Sequence, residues 1–373
     1  MLNTFDRYLL RRYISTFLIM FVSTYGLFVV IDGFTNADEY FQGEDSTIEN
    51  LKTMGEEYLF RASSFFDMTG SILSVVTVII VLGLLLYQKE IHPLLAAGIP
   101  SYRLSRPLLL GALVANLLMV ANTELILPKV SLLLESSRGE GLKAGKVMEP
   151  VQDYELHINL DGNRMFASDR SIRHARFILT APTLVEELTT LSAAKAVYYP
   201  EVAGKHPSGW RLKKVTPPID QVKLTKMGQK NIFRLKNSED IFVATEVSFH
   251  QVYSKGGNYL YDTTPELIER VNSPALSQAS ISRQILFLHN RLARPIQNLV
   301  AVMLLIPFVM HKDSRSLITS MAIACGVLVG MLAVQQLANY LASAKIVTPD
   351  FAVWIPILMG GGLAAWFSED ILT

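Results

Sequence analysis

Long apolar runs alternate with charged segments along the chain, and their lengths predict membrane spans. About twenty apolar residues, rising 1.5 Å each, cross the roughly 30 Å hydrocarbon core of a bilayer. Three such runs precede a polar middle region and three follow it: Tyr13–Gly33, Phe65–Tyr87, Arg106–Pro128, Leu292–Met310, Leu317–Leu341 and Phe351–Phe367. The pattern therefore predicts an α-helical membrane protein with six transmembrane helices in a three-plus-three arrangement.

The polar middle region has the pattern of short β-strands. Runs rich in β-branched and aromatic residues recur about every ten residues, with Gly, Pro or Asn between them. The predicted strands are Tyr154–Leu160, Arg164–Ala167, Arg173–Leu179, Leu184–Leu191, Ala196–Tyr199, Trp210–Val215, Ile219–Leu224, Ile232–Leu235 and Phe242–Val247. Asp161-Gly162-Asn163 separates the first two and predicts a β-hairpin. Regular short strands favour an inserted all-β domain, a sandwich or open barrel.

Shorter helices are predicted beside the spans. They lie at Ile48–Phe60, Thr264–Asn272 and Ser277–Asn290. The predicted domains are residues 1–128 with the first three spans, residues 129–275 with the strands, and residues 276–373 with the last three spans.

A polar connector, Tyr87–Pro107, joins the second and third spans. It is too polar to enter hydrocarbon, and residues 88–100 are predicted to form a small helix with Leu94, Leu95 and Ile99 on its apolar side. Two interpretations of Glu90 remain open. It pairs with a basic residue of a soluble partner whose groove takes the apolar side, or it is a solvated charge that the helix dipole favours.

Lys and Arg in the short loops predict the orientation, because cytoplasmic loops carry an excess of them. With the N-terminus inside, the short outer loops hold Lys52, Arg61 and Lys345. The inner segments then hold a larger set: Arg7, Arg11, Arg12, Lys89, Arg103, Arg106, Lys312 and Arg315. We therefore expect both termini in the cytoplasm and the β domain on the outer side.

Composition and motifs argue against covalent chemistry. The chain is 50% hydrophobic and 18% charged, whereas soluble domains carry about a quarter charged residues. Its net charge of +1 gives no bulk attraction to nucleic acid. Gly139–Val147 lacks the Ser or Thr of a phosphate loop, and the histidines are not at zinc-site spacing. No catalytic residue, metal or cofactor is predicted, so the function is expected to be mechanical or binding.

Three blocks of the chain resemble the LptF/LptG (YjgP/YjgQ) family. They are Lys89–Leu109 (KEIHPLLAAGIPSYRLSRPLL), Leu288–Met310 (LHNRLARPIQNLVAVMLLIPFVM) and Pro349–Phe367 (PDFAVWIPILMGGGLAAWF). The three-plus-three plan and the inserted β domain also agree with this family. The resemblance implies a permease subunit of an ABC transporter that extracts lipopolysaccharide, or a related glycolipid, from the bacterial inner membrane.

The resemblance also implies partners. These are a cytoplasmic ATPase dimer, a second permease of the same type, and periplasmic bridge proteins. Lipid would enter between the first and fifth spans of opposing subunits, and a periplasmic jellyroll, roughly Val151–Phe249, would pass it on.

Site residues follow from the same resemblance. The implied ATPase-coupling residues are Glu90, Leu94, Leu95, Gly98 and Arg103. Known members carry basic residues near the outer end of the first span, suited to lipid phosphates. Here Asp32, Asp38 and Glu39 stand there, so Arg61, Arg291 and Arg294 are the candidate lipid-binding residues.

Two other classes of protein compete with the exporter. A membrane-anchored sensor or scaffold would use the outer β domain to bind a ligand or a protein. An integral-membrane enzyme acting on lipid is disfavoured by the lack of a catalytic constellation. Co-purification distinguishes the exporter from the sensor or scaffold, because only the exporter requires an ATPase subunit.

Overall fold

The structure, a computed structural model, describes residues 4–40, 47–90, 93, 102–134, 145–201, 207–235, 240–253, 259–272, 278–310 and 317–372. The chain divides into two compact units. One consists of Met1–Asn36, Arg61–Ile126 and Ser282–Thr373, and the other of Ala37–Phe60 and Leu127–Ile281. We refer to them as the helical unit and the β unit.

Six helices among the described residues are long and apolar enough to cross a membrane, which confirms the predicted plan. The helices of the first half are α1 (Thr4–Thr35), the short α2 (Ala37–Tyr40), α3 (Thr47–Tyr87) and α4 (Tyr102–Ala121). Residues Ile48–Phe60, predicted as a separate surface helix, belong to α3. Helix α3 is continuous because no Pro interrupts it and no helix end separates the two segments.

The third span widens near its end. After α4 the chain forms a π-helical turn, Asn122–Ile126, and then continues as α5 (Leu127–Leu134). A π-turn carries an extra residue, so it changes which side chains face a neighbouring helix, and such turns occur frequently at functional sites.

One large apolar cluster holds the helical unit together. It includes Leu9 of α1, Val78 and Leu82 of α3, and Leu108 of α4, all with fully buried side chains. Tyr13 of α1 packs against Gly111 of α4, where an added Cβ would lie 2.5 Å from Cδ1 of Tyr13. Gly111 therefore permits a close approach of α1 and α4, as small residues do in membrane helix packing.

The described residues of the β unit form one antiparallel sheet. Its strands are β1 (Lys146–Val147), β2 (Val151–Asp153), β3 (Ile158–Asp161), β4 (Arg164–Phe166), β5 (Ser171–Leu179), β6 (Thr189–Tyr199), β7 (Gly209–Thr216), β8 (Ile232–Arg234) and β9 (Ile241–Ala244). The order is β1-β4-β5-β6-β7-β9-β8, and β3 pairs with both β2 and β5. The predicted inserted β domain is confirmed as an antiparallel sheet between the two groups of spans.

The predicted hairpin at Asp161-Gly162-Asn163 is wrong. Strands β3 and β4 do not pair with each other; both pair with β5 in one continuous register, from Ile158↔Leu179 to Phe166↔Ser171. A Cβ on Gly162 would lie 2.3 Å from Cγ2 of Ile172. Glycine is therefore required here by a close packing contact inside a strand rather than by a turn.

Two other predicted strands are also wrong. In the predicted strand Ile219–Leu224, residues Ile219–Gln221 form a 3₁₀ turn. Leu224 pairs through an isolated bridge to Val185. In the predicted strand Leu184–Leu191, residues 184–188 form no strand apart from the isolated bridge at Val185, and β6 begins at Thr189 and continues to Tyr199. Apolar runs of this length predict burial equally well in strands and in turns that cover a core.

The sheet covers an apolar core. Trp210 is fully buried and donates a hydrogen bond from Nε1 to the carbonyl of Val247, at 3.0 Å. Asp153 is also buried, and it accepts hydrogen bonds from Thr245 Oγ1 at 2.6 Å and from two backbone N–H groups. Its carboxylate is thus satisfied by donors, as a buried charge requires.

The remaining helices follow the first strands along the chain. In the β unit they are α6 (Lys226–Asn231), α7 (Phe249–Tyr253) and α8 (Thr264–Asn272). The last three spans are α9 (Gln278–Met310), α10 (Leu317–Ser343) and α11 (Pro349–Leu372). The predicted helix Thr264–Asn272 is confirmed, and Ser277–Asn290 lies almost wholly in α9, the helix of the fourth span.

Candidate functional site in the helical unit

Glu90 is positioned by the way α3 ends. The N–H of Glu90 donates to the carbonyl of Leu85 at 3.0 Å, and the N–H of Lys89 donates to Leu86 at 3.1 Å. Lys89 has a φ of 58°, so it occupies the left-handed position that closes such a helix end. The chain turns sharply at Lys89, and this turn presents the Glu90 side chain beside α1.

Tyr8 and Arg12 hold the Glu90 carboxylate. Tyr8 Oη donates to both carboxylate oxygens, at 3.1 and 3.2 Å, and Arg12 Nη1 lies 3.2 Å from Oε2. Arg12 also donates to Tyr8 Oη at 2.7 Å and to Gln88 Oε1. The side chain of Glu90 is 36% exposed and that of Arg12 is 14% exposed. The first span is therefore joined to the start of the predicted ATPase connector by a shared, partly hydrated ion pair.

The other predicted coupling residues are not in this cluster. Leu94, Leu95 and Gly98 lie outside the described residues, and so does most of the predicted helix at 88–100. Arg103 lies on the first turn of α4, where it is partly exposed. Among the described residues, the structure brings Glu90 together with two α1 residues that sequence reasoning had used only for orientation or not at all.

Arg294 and Asp67 form an ion pair between α9 and α3. Nη1 of Arg294 lies 2.8 Å from Oδ1 of Asp67, and it also donates to the carbonyl of Asp67 at 3.2 Å. Thr123 Oγ1, in the π-turn, donates to the same Oδ1 at 2.7 Å. One carboxylate thus connects three spans, an arrangement typical of charged groups that face the interior of a membrane bundle.

Arg291 binds the π-turn. Its Nη2 donates to the carbonyl of Thr123 at 3.1 Å and lies 3.3 Å from Oε1 of Glu124. The guanidinium is almost fully buried, so its charge requires these oxygen partners. Backbone carbonyls at a π-turn are displaced from the ordinary helical ladder, which leaves one available as an acceptor.

Arg61 pairs with Asp32, an acidic residue at the C-terminal end of the first span. Their closest side-chain atoms, Nη1 and Oδ2, lie 3.6 Å apart, and both side chains are mostly buried. Each of the three arginines predicted to bind lipid phosphate therefore has a carboxylate partner within the chain. An anionic lipid group would have to compete with Asp32, Asp67 or Glu124 for these charges.

Amide side chains continue the polar network toward the middle of the bundle. Asn298 Nδ2 donates to Asn116 Oδ1 at 2.8 Å, and Gln335 Nε2 donates to Gln297 Oε1 at 2.8 Å. The third span therefore directs Asn116 toward the neighbouring fourth span. A cavity of about 250 Å³ lies beside these groups, and Asp67, Arg294, Asn298 and Gln335 are among its lining residues.

The spans differ in how much of their surface the chain itself covers. Only 6% of the apolar stretch of α1 and 17% of that of α10 are buried, against 61% in α3 and 56% in α9. Large apolar side chains such as Ile19 and Val22 of α1 and Val329 of α10 are exposed. These two helices therefore require lipid or another protein along most of their length.

The fold and this network define a class: a multi-pass membrane protein whose bundle contains paired charges and whose first and fifth spans are left mostly uncovered by the described part of the chain. The family model described as lipopolysaccharide export system permease LptF/LptG matches residues 7–369. The chain therefore belongs to the LptF/LptG family, as the sequence resemblance predicted. A comparison with curated proteins gave no match.

Family membership establishes the coarse assignment. The chain is a lipopolysaccharide export permease of the inner membrane, and this permease family is a non-catalytic transporter subunit. The partners Asp67, Asp32 and Tyr8 were missed by sequence reasoning. A polar residue within or beside each predicted span was the available signal, but it does not identify which spans meet.

Proposed function

We propose that this chain is one of two permease subunits of an ABC-type exporter, and that a separate cytoplasmic ATPase supplies its energy. The uncovered α1 and α10 carry this proposal, together with the family match over residues 7–369. Extraction of a lipid with several acyl chains costs about 0.8 kcal/mol for each CH₂ exposed. An energy source outside the membrane helices is therefore needed.

The lipid path follows from the two uncovered helices. Helix α1 of one subunit would face α10 of the other, and lipopolysaccharide would enter between them. The β domain, residues 129–275, would lie in the periplasm as a jellyroll and pass the lipid to bridge proteins. Both termini would lie in the cytoplasm, as the arginines before the first span favour.

The connector between α3 and α4 is the proposed ATPase contact. Glu90, Leu94, Leu95, Gly98 and Arg103 would couple ATP hydrolysis to lipid movement. Support comes from the Glu90 contacts, because a push on the connector would reach α1 through Tyr8 and Arg12. The element that receives force is thus joined directly to a helix of the proposed lipid path.

Purification of the complex from its native membrane tests the ATPase contact. We expect the wild-type chain to retain an ATPase subunit, and Glu90→Ala or Leu95→Asp to lose most of it. Glu186→Ala is the matched control, because it removes an exposed carboxylate of the β unit. A complex that lacks an ATPase even in the wild type would contradict the proposal and favour a sensor or scaffold.

Photo-crosslinking tests the position of the second permease. A photoreactive residue at Val22 or Val329, which are exposed on α1 and α10, should crosslink to a second membrane protein of similar size. Leu358 of α11 is equally exposed and serves as the control, with no such adduct expected. Adducts from Leu358 but from neither Val22 nor Val329 would place the interface at α11 and contradict the proposed one.

A further inference from the structure

Four basic residues lie side by side across four neighbouring strands of the β unit. The register pairs Arg164 with Arg173, Arg173 with Lys195, and Lys195 with Lys213. Arg164, Arg173 and Lys213 are exposed, and Lys195 is partly exposed. Neighbouring strands lie about 4.8 Å apart, so this basic row places four positive charges along roughly 15 Å.

The basic row is unfavourable for the sheet by itself. Like charges at directly opposed positions destabilise an antiparallel pair, whereas opposite charges stabilise it. Asp169 pairs with Lys195, at 2.6 Å, and Arg173 lies over the ring of Phe166, at 4.6 Å from its centroid. These contacts support two members of the row, but they do not explain why four arginine or lysine residues follow one another across the strands.

A groove runs along the next row of residues. Its volume is about 520 Å³, and its polar lining includes Asn163, His174, Arg176, Ser192, Lys214 and Thr216. Strands β5, β6 and β7, and Asn163 just before β4, therefore each contribute a basic or hydrogen-bonding side chain beside the basic row. The groove is open to solvent, and apart from Gly162 and three alanines its lining side chains are polar, which suits a hydrophilic ligand better than an acyl chain.

The backbone is strained along the same line. His174 and Lys214 have φ values of 50° and 54°, in the left-handed region that non-glycine residues rarely adopt. In β5 and β7 two successive side chains are exposed at this point, Arg173 with His174 and Lys213 with Lys214. The kink thus turns four basic side chains outward where regular alternation would expose two, and such strain recurs at ligand-binding sites.

We propose that the basic row and its groove bind the phosphate-bearing sugar portion of the exported glycolipid. A guanidinium can bind two phosphate oxygens at once, and a row of four cations over roughly 15 Å offers room for more than one phosphate. The amide and hydroxyl groups of Asn163, Ser192 and Thr216 suit sugar hydroxyls. This inference rests on the proposed export function and assigns the sugar, rather than the acyl chains, to this face of the β unit.

Binding measurements on the full chain in detergent micelles test the inference. The probe is a deacylated glucosamine disaccharide that carries two phosphates, and it is compared with the unphosphorylated disaccharide and with inorganic phosphate. We expect the triple variant Arg164→Gln, Arg173→Gln, Lys213→Gln to bind the phosphorylated disaccharide roughly tenfold or more weakly. Added salt should weaken the wild type more than this variant.

A matched variant removes the same charge elsewhere. Lys223→Gln, Lys226→Gln and Lys230→Gln lie at other exposed positions of the β unit and should leave binding nearly unchanged. The melting temperature provides a second readout, because removal of like-charged neighbours should leave it unchanged or raise it. A triple variant that loses both binding and stability would indicate a structural role and overturn the inference.

Other results would also overturn it. Among the variants, these are a triple variant that binds the phosphorylated disaccharide as tightly as the wild type, and a matched variant that weakens binding as much as the triple variant. Among the probes, they are an unphosphorylated disaccharide or inorganic phosphate that binds the wild type as tightly as the phosphorylated disaccharide does. Tighter binding of a poly-glutamate peptide would indicate an acidic protein partner instead. The ATPase co-purification is a separate measurement. If the triple variant binds the phosphorylated disaccharide as tightly as the wild type does, but the chain still retains its ATPase, only this inference fails and the proposed function stands.

Discussion

Arg294 Nη1 and Asp67 Oδ1 lie 2.8 Å apart, although 227 positions separate these residues in the sequence. The contact joins the second and fourth spans, and Thr123 donates a hydrogen bond to the same oxygen from the third. A pair of opposite charges inside a helical bundle has few alternative partners, because hydrocarbon offers none. One carboxylate thus adds a polar link between three spans that also share an apolar cluster.

Substitution of either member of this pair should destabilise the helical unit. We expect Asp67→Asn and Arg294→Gln each to lower the free energy of unfolding by about 1–3 kcal/mol, since each leaves a largely enclosed charge without its counter-charge. The double variant should be less destabilised than the sum of the two, by about 0.5–3 kcal/mol. Denaturation in detergent measures these differences.

The exposed pair Lys52–Glu56 is the control for this cycle. Its atoms are 3.9 Å apart, one helical turn separates the residues, and both are well hydrated. A coupling free energy of about 0.3–0.5 kcal/mol is expected there. If the Asp67–Arg294 cycle gives no larger coupling than this, the pair does not hold the three spans together.

The spans were predictable from sequence, whereas their polar contacts were not. A run of twenty apolar residues is a local signal, so the predicted span Leu317–Leu341 lies within about two residues of both ends of α10, whereas α1 and α9 begin well before their predicted spans. Arg61, Arg291 and Arg294 were recognised as charges near spans, but their partners Asp32, Glu124 and Asp67 lie on other helices. No local pattern specifies which helices meet.

The β unit shows the same division between local and non-local information. Alternation and turn residues predicted that strands exist, but Asp161-Gly162-Asn163 carries the composition of a turn and lies inside a continuous pairing with β5. The reason is the contact of Gly162 with Ile172, ten positions later. The basic row was equally invisible in the sequence, because its members become neighbours only through the register of β4, β5, β6 and β7.

Removal of the Tyr8 and Arg12 contacts should weaken coupling while the ATPase remains bound. The Glu90 carboxylate meets α1 through these two side chains, so their loss separates the connector from the proposed lipid path. We expect Arg12→Gln to lower lipid release per ATP hydrolysed by roughly fivefold to tenfold, and Tyr8→Phe by less, because Arg12 contributes the charge. Release from a reconstituted complex measures this ratio.

Arg11 provides the control for this experiment. It lies on the same turn of α1, is exposed, and carries the same charge. Arg11→Gln should leave the ratio of lipid release to ATP hydrolysis close to that of the wild type. If Arg11→Gln and Arg12→Gln have equal effects, Arg12 acts only through its charge near the membrane surface, and its contact with Glu90 does not contribute to coupling.

A side chain at Gly111 should disturb the packing of α1 on α4. An added Cβ would meet Tyr13 at 2.5 Å, and Tyr13 is buried and bonded to Ser74 Oγ at 2.7 Å, so its ring has little room to move. We expect Gly111→Ala to destabilise the helical unit by about 1–3 kcal/mol, as overpacking does. Gly26→Ala, also in a span, meets nothing within 4 Å and should be neutral or slightly stabilising. The difference in melting temperature between these variants measures the effect.

Acidification should destabilise the β unit through His250. Burial lowers the pKa of this imidazole, with Asp262 and Glu266 raising it and Arg270 lowering it further, and the net direction is downward. Its Nε2 lies 3.2 Å from Ser131 Oγ. Because the folded pKa lies below the unfolded value of about 6.5, the unfolded chain binds more protons between the two values. Stability from this residue is complete above about pH 6.5 and decreases as the pH falls toward the folded pKa.

The wild type should therefore lose more stability than His250→Gln when unfolding at pH 7.5 is compared with unfolding at pH 5. The variant removes the titrating group, so the difference between the two proteins isolates its contribution from that of the carboxylates. His157→Asn is the matched control, because His157 is exposed and Asn tolerates its φ of 52°. It should follow the pH dependence of the wild type. If His250→Gln and the wild type change in parallel, His250 is not buried as a neutral side chain, and this prediction is wrong.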